Sequence, residues 1–356
     1  MTNDSNVTDE ILTNYMTFLL NGFTIKNIEI KADTIKGYMK EVNNYYAQRN
    51  LSKPFDKNSN SEAAKLLREQ EKFESDPARR EPLPDLAWTK MAQLAAADDL
   101  GFRAAVFDIA TVGRYGGMRQ QEFAMDFVDV VKTYVLPNGV EVARAFCIRN
   151  FLYRDAMRNR VQNPLSNEKS IEELGTEYDV QKNRRNGQII WFRRERRYPQ
   201  HCPITRSLRL VWRAETLGQG NDDPVCVFRA KDGIVKYLTG KDVTDYLRLV
   251  VKLTHPNISA EELKLISCHS IRVTACCLLA EAGKDGWYIK LRLRWVSDCY
   301  EVYIRNTRRI ADAHNDALQE VNQRLQEIAI TPANLPDLLE QSGVLDSVEY
   351  TIEDDD

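Results

Sequence analysis

The chain has 356 residues, 43% of them apolar and 28% charged, which suits a globular protein of two domains at the usual ~150 residues each and excludes a collagenous, disordered or low-complexity chain. No apolar run reaches the ~18 residues of a membrane span, and the start Met1-Thr2-Asn3-Asp4 lacks the blocks of a signal peptide, so a soluble chain made in the cytosol with no membrane partner is expected. Seven cysteines without a Cys-x-x-Cys pair, four histidines without His-Glu-x-x-His, and no phosphate-loop or dinucleotide fingerprint argue against disulfide frameworks, zinc ribbons, metalloproteases and nucleotide enzymes, and no cofactor is expected.

In chain order, residues 1–75 read as helices. Asp33 is placed to cap a segment in which Ile35, Tyr38, Met39, Val42, Tyr45 and Tyr46 follow the three-and-four spacing of one buried face, and another helix is expected over Glu62 to Glu74. Three prolines and a charge cluster between Ser75 and Asp85 mark a linker, assigned to residues 76–86. Helices are expected from about Ala87 to Asp99 and from Phe102 to Thr111. Asn138-Gly139 and Asn186-Gly187 signal hairpins, the first between Val130–Val135 and Val140–Ile148, the second between Tyr178–Lys182 and Gln188–Phe192. From Pro203 onward the pattern is helical, with Ser259-x-x-Glu262 as a capping box and Gly283 closing a helix that begins near Ser270. The fold class is therefore mainly α with a small antiparallel β-sheet (α+β), divided into residues 1–75, the linker, 87–330, and an acidic tail over 331–356.

The net charge of −3 averages two opposite parts. Residues 311–356 carry twelve Asp and Glu against Arg324 alone, which leaves the first 310 residues with a surplus of eight positive charges. Residues 181–213 hold ten Lys and Arg against Glu195, interleaved with Trp191, Phe192 and Tyr198. A solvated face usually mixes both signs, so this stretch reads as a polyanion-binding surface, with Arg184, Arg185, Arg193, Arg194, Arg196 and Arg197 as its anion-facing residues.

Four short segments carry chemistry when taken together. His269-Ser270-Ile271-Arg272 puts an imidazole and a guanidinium one helical turn apart, within reach of one phosphate. In Gly116-Gly117-Met118-Arg119-Gln120-Gln121-Glu122 two glycines allow close backbone approach just before Arg119. Arg294-Trp295-Val296-Ser297-Asp298 offers an indole N–H, and Tyr303 eight residues after Trp295 offers a hydroxyl that can be a nucleophile. Each alone has a plain alternative: a surface pair, a helix start, or core aromatics.

The order Arg, Lys, His-x-x-Arg, Trp, Tyr resembles the tyrosine recombinases, the phage-integrase and Cre-like family of DNA strand-exchange enzymes, over about residues 9–325. The resemblance implies a two-domain DNA clamp, with a helical core-binding domain followed by the catalytic domain. It implies catalytic roles for Arg119, Lys182, His269, Arg272, Trp295 and Tyr303. Arg184 and Arg185 stay alternatives for the hairpin lysine, and Tyr300 a second choice for the nucleophile. The Arg-Trp-x-Ser-Asp and Tyr-Ile-Arg wording is closer to Crypton-like or viral elements of eukaryotes than to Xer proteins, so the compartment is the nucleus in a eukaryotic host and the cytoplasm otherwise.

The implied reaction is metal- and ATP-independent strand cleavage through a 3′-phosphotyrosine. It acts on double-stranded DNA in a homo-oligomer, a tetramer on two sites, for which the helical spacing over Ile310–Ile330 fits either an exchanged helix or one packed within its own chain. A type IB topoisomerase and a catalytically silent DNA-binding protein are the competing readings.

Overall fold

The structure, a computed structural model, describes residues 7–22, 30–73, 79–127, 129–136, 138–181, 185–304 and the isolated positions 312, 313, 315, 316, 318 and 319. Lys182, Arg184, most of Ile310–Ile330 and the acidic tail lie outside the described residues. The chain separates into two compact units, Met1–Arg79 and Arg80–Asp356. No helix among the described residues is long and apolar enough to cross a membrane.

The first unit contains α1 (Asp9–Leu20), α2 (Ala32–Ala47) and α3 (Glu62–Phe73). Leu12, Met16 and Leu19 of α1 recur at helical spacing and pack with Ile35 and Met39 of α2 and with Ala63, Ala64 and Leu67 of α3. The Asp9 carboxylate accepts hydrogen bonds from the backbone N–H groups of Glu62 (2.7 Å) and Ala63 (3.1 Å), satisfying donors that the start of α3 leaves without helical partners. Two sequence expectations change here. Asp33 is not the cap of α2: Lys31 holds that position, and Asp33 sits in the first turn, paired with Lys36. The buried face is also narrower than the aromatic spacing suggests, because Tyr38 and Tyr45 are exposed.

The second unit begins with α4 (Asp85–Ala95), α5 (Phe102–Gly116) and α6 (Gln120–Phe123), followed by strands β1 (Thr133–Val135), β2 (Glu141–Ala143), β3 (Phe151–Arg154), β4 (Glu173–Tyr178) and β5 (Gln188–Arg193). Then come α7 (Pro203–Thr216), β6 (Val227–Arg229), β7 (Val235–Tyr237), α8 (Gly240–Thr254), α9 (Ala260–Lys264), α10 (His269–Glu281), α11 (Gly286–Leu293) and α12 (Glu301–Ile304). All strand pairing among these elements is antiparallel: β1 with β2, the order β3-β4-β5, and β6 with β7.

Buried almost all round, α5 packs against α4, α7, α10 and β6. A helix so enclosed needs apolar residues on most of its surface, and Ala104, Ala105, Val106, Phe107, Ile109, Ala110 and Val112 supply them, while the buried Asp108 is met by arginines of α7. It runs five residues beyond the expected Thr111, to Gly116, and Gly117 then turns left-handed at φ 55°. The Asn186-Gly187 hairpin forms as β4-β5, but its first arm is Glu173–Tyr178 and not the expected Tyr178–Lys182, because the chain leaves the ladder after the Tyr178–Gln188 pair; the Ser259–Glu262 capping box is present. The pattern after Pro203 is not uniformly helical: the β6-β7 hairpin interrupts it around Asp232-Gly233, a turn pair of the same kind as the other two.

Candidate active site

The site is built where the end of α5, the start of α10 and the stretch from α11 to α12 meet. Gly117 is required there twice over: its φ is positive, and a Cβ would come within 2.7 Å of the Leu293 side chain. The turn delivers Arg119 at the entry of α6, where Glu122 Oε2 accepts the Arg119 backbone N–H (2.8 Å) and Glu122 Oε1 accepts from Nη1 (3.0 Å). Arg119 Nη2 reaches the backbone oxygen of Arg294 at 3.4 Å.

Arg272, one turn into α10, is 4% exposed. It donates from Nη1 to the Gly117 oxygen and from Nη2 to the Leu293 oxygen (2.7 Å), and its guanidinium lies 4.9 Å from the centre of the Trp295 indole. Burial, and then the cations Arg119 and Arg294, push its ionisation down to about 9, so it remains cationic at neutral pH.

His269 opens α10, and its Nε2 stands 3.1 Å from the Tyr303 hydroxyl. Burial first, then Arg272, Arg80 and Arg119, push the imidazole down to about 4, so at pH 7 it is neutral. With its proton on Nδ1, Nε2 accepts from Tyr303. The Trp295 ring lies edge-on to both Tyr300 (6.0 Å) and Tyr303 (5.6 Å), and its buried indole N–H finds no acceptor among the described residues. Proteins seldom leave a buried donor in that state.

The two tyrosines differ. Tyr303, on α12, is half-buried and faces His269, whereas Tyr300 is buried, with its hydroxyl packed so tightly over Gly286 that a Cβ there would overlap it. Of the six residues expected to carry chemistry, the structure brings together Arg119, His269, Arg272, Trp295 and Tyr303; Lys182 is outside the described residues.

Sequence reasoning misses the role of Arg294. It is 1% exposed and left-handed at φ 58°, a conformation that costs a non-glycine residue about 1–2 kcal/mol. Its guanidinium bonds both carboxylate oxygens of Glu122 at 2.9 Å, stacks 3.4 Å from the centre of the Tyr178 ring and reaches Gln181 Oε1 at 3.2 Å. Burial alone would raise the Glu122 carboxyl, but Arg294 and Arg119 hold it below the usual carboxylate range. Its place beside Trp295 is the only signal the sequence offers.

The expected DNA-facing arginines divide. Arg185, Arg193 and Arg197 are exposed. Arg194 donates to the backbone oxygens of Ile171 and Glu168, both at 2.6 Å, which ties its guanidinium to the fold, whereas Arg196 is exposed like the first three and pairs with Glu172 at the surface. Further along the basic stretch, Arg206, Arg209 and Arg213 all turn inward to Asp108. The surplus read from the sequence is thus partly structural. A charge count cannot reveal it because the acidic partners lie elsewhere in the chain.

No family model and no curated protein matches the sequence. Among solved structures, the chain is similar to the Tn1549 transposon integrase in complex with a circular intermediate DNA, at 12% identity over 89% of this chain and 86% of that one, with a TM-score of 0.46. It is similar to the same integrase with transposon right end DNA at 11% identity, over 90% and 87% of the two chains and with a TM-score of 0.46. For the XerA recombinase the identity is 12%, the coverage 98% and 86%, and the TM-score 0.34. Similarity at this level leaves the chemistry to be argued from the residues themselves.

Proposed function

We propose that this chain is a site-specific DNA recombinase or integrase that cleaves and rejoins strands through a covalent 3′-phosphotyrosine, in the integration, excision or transposition of a mobile element. The observation that carries the reading is the Tyr303 hydroxyl 3.1 Å from a neutral His269, beside the guanidinia of Arg119 and Arg272.

A phosphodiester resists attack because negative charge repels the nucleophile and grows on the non-bridging oxygens in the transition state, so fixed donors aimed at those oxygens speed the reaction. Guanidinia suit the task, being planar, forked and charged at neutral pH. The unpartnered Trp295 N–H would gain its missing acceptor from the same phosphate. An isolated tyrosine, with a pKa of ~10, is almost wholly protonated at pH 7, so it needs a base at hand. In the proposed step His269 Nε2 takes the Tyr303 proton, the Oη–P bond forms, and the bond from phosphorus to the 5′-oxygen breaks. That oxygen leaves as a hydroxyl, its proton coming from a general acid for which Lys182 is the proposed residue. The phosphotyrosyl link is still a phosphodiester, so a second 5′-hydroxyl reverses the step without ATP or metal.

Double-stranded DNA is the proposed partner, with exposed Arg185, Arg193 and Arg197 among the groups that meet its phosphates and a tetramer on two sites as the proposed assembly. The test is to incubate the protein with nicked suicide duplexes from the DNA flanking its gene, without metal or ATP, and look for a denaturation-resistant adduct. An adduct in wild type that is lost in Tyr303→Phe supports the reading. Tight, salt-sensitive binding with no adduct on any flanking duplex would replace it with that of a DNA-binding protein. Relaxation of supercoils without exchange between two duplexes would replace it with that of a topoisomerase.

A further inference from the structure

The segment joining α11 to Trp295 presents two successive backbone oxygens to the two guanidinia of the site. Leu293 O accepts from Arg272 Nη2 at 2.7 Å, and Arg294 O accepts from Arg119 Nη2 at 3.4 Å. In an ordinary helix both carbonyls would point along the axis into the hydrogen-bond ladder. Here the helix ends at Leu293 and the left-handed turn of Arg294 swings them toward α10 and α6.

Glycine adopts this conformation without a steric penalty, yet the position holds the bulkiest cation. Its side chain folds back to grip the other side of the same construction: both Glu122 oxygens, the Gly116 and Gly117 carbonyls at 3.4 Å each, and Gln181 Oε1. Glu122 is in turn the carboxylate that orients Arg119, through both its backbone N–H and its guanidinium. The Gly117 oxygen also accepts from Arg272.

We propose that Arg294 is a positioning residue for this site: it sets the spacing and aim of Arg119 and Arg272 by locking Glu122 with its guanidinium and by turning its own carbonyl and that of Leu293 toward them. At 1% exposure, Arg294 presents no surface to a substrate and acts through its neighbours. With its guanidinium bonded to both oxygens of Glu122, the carboxylate is left with only the lone pairs that face Arg119, which fixes where that cation points. Without Arg294, Glu122 is a buried anion whose remaining cation is Arg119, and it draws that guanidinium away from a phosphate toward itself. The inference rests on the strand-transfer reading above for its consequence, though not for its geometry.

The test uses the full chain with Arg294→Gly, which keeps the left-handed turn without strain, and Arg294→Lys, which keeps a buried cation without the fork. In a crystal structure of the Gly variant, Arg119 Nη2 is expected to leave the oxygen of residue 294 and the whole guanidinium to close on Glu122; an unmoved Arg119 overturns the proposal. If the Gly variant does not fold, the same reading is made on the Lys variant.

The second arm measures adduct formation on two suicide duplexes, one with a normal scissile phosphate and one with a methylphosphonate, whose methyl group removes the charge that the guanidinia stabilise. Arg294→Gly is expected to slow the phosphate reaction about 10²-fold, the scale of one misaimed donor, and to slow the methylphosphonate reaction far less. Equal deficits on both duplexes would make Arg294 merely structural, and a wild-type rate on the phosphate would also overturn the proposal. Should wild-type protein give no adduct on either duplex, the strand-transfer reading fails, and the crystallographic arm still decides whether Arg294 aims Arg119.

Discussion

Two clusters in the second unit each gather three arginines, and they put them to opposite use. In the first, Arg206, Arg209 and Arg213 of α7 converge on Asp108 of α5, and Arg209 also meets Asp99. In the second, Arg119, Arg272 and Arg294 have Glu122 as their one carboxylate among the described residues, and Arg272 is held by backbone oxygens and the face of Trp295. The α7 cluster sets three guanidinia against two carboxylates and acts as a brace for α5. The second sets three guanidinia against one carboxylate among the described residues, around a neutral histidine, a tyrosine hydroxyl and an unpartnered indole N–H. Burying a guanidinium is costly in either place. Where the carboxylates are fewer, the fold holds more of that cost as an attraction for an anion.

The sharpest way to break this contrast is at the nucleophile. Tyr303→Phe should abolish the covalent DNA adduct while leaving the melting temperature nearly unchanged, and Tyr300→Phe should leave the adduct in place; the reverse result in a denaturing gel would move the chemistry to Tyr300.

Next come the two clusters themselves. Arg272→Ala should slow adduct formation about 10²–10³-fold, as expected for removal of a transition-state donor. Arg213→Met should instead destabilise the fold by about 1.5–3 kcal/mol, since it removes the buried one of the three arginines that meet Asp108, with little effect on the rate per folded molecule. Denaturant melts run beside single-turnover rates separate the two, and a rate defect in folded Arg213→Met would collapse the distinction.

A third prediction concerns pH. His269 must be neutral to accept the tyrosine proton, and its surroundings lower it from the ordinary 6.5 to about 4. The second-order rate of adduct formation should therefore show no loss on acidification through 6.5 and should fall only as the pH approaches 4, because that rate reports the free protein. An inflection near the ordinary histidine value would mean that the imidazole is not held among the cations as described.

The smallest effect is expected on the surface. Arg193→Ala with Arg197→Ala should weaken DNA binding and reduce the slope of log affinity against log salt by about 1 for each phosphate that is no longer neutralised. Arg194→Ala should act mainly on stability, because its guanidinium already serves the Ile171 and Glu168 carbonyls.

The sequence is unevenly informative about this fold and site. Turn chemistry serves well at Asn186-Gly187 and at Ser259–Glu262, where the signal is local and a few residues suffice. It fails to stand out at Asp232-Gly233, where helical patterns on both sides hide a short hairpin. The aromatic spacing in α2 overstates its buried face because tyrosine tolerates water at its hydroxyl, whereas Ile35 and Met39 are sealed in. The basic stretch misleads in part: a one-dimensional count cannot pair Arg213 with an aspartate 105 residues earlier.

The reactive groups and their order, with most of the helices and turns that carry them, can be read from the chain alone, because capping, glycine geometry and apolar period act over neighbouring residues. Which cations remain uncompensated, which tyrosine meets the histidine, and how an arginine in a glycine-like turn aims two others are settled only in the packed fold. Those outcomes depend on carboxylates and carbonyls that are distant in sequence, and on burial, which sets what each charge is worth.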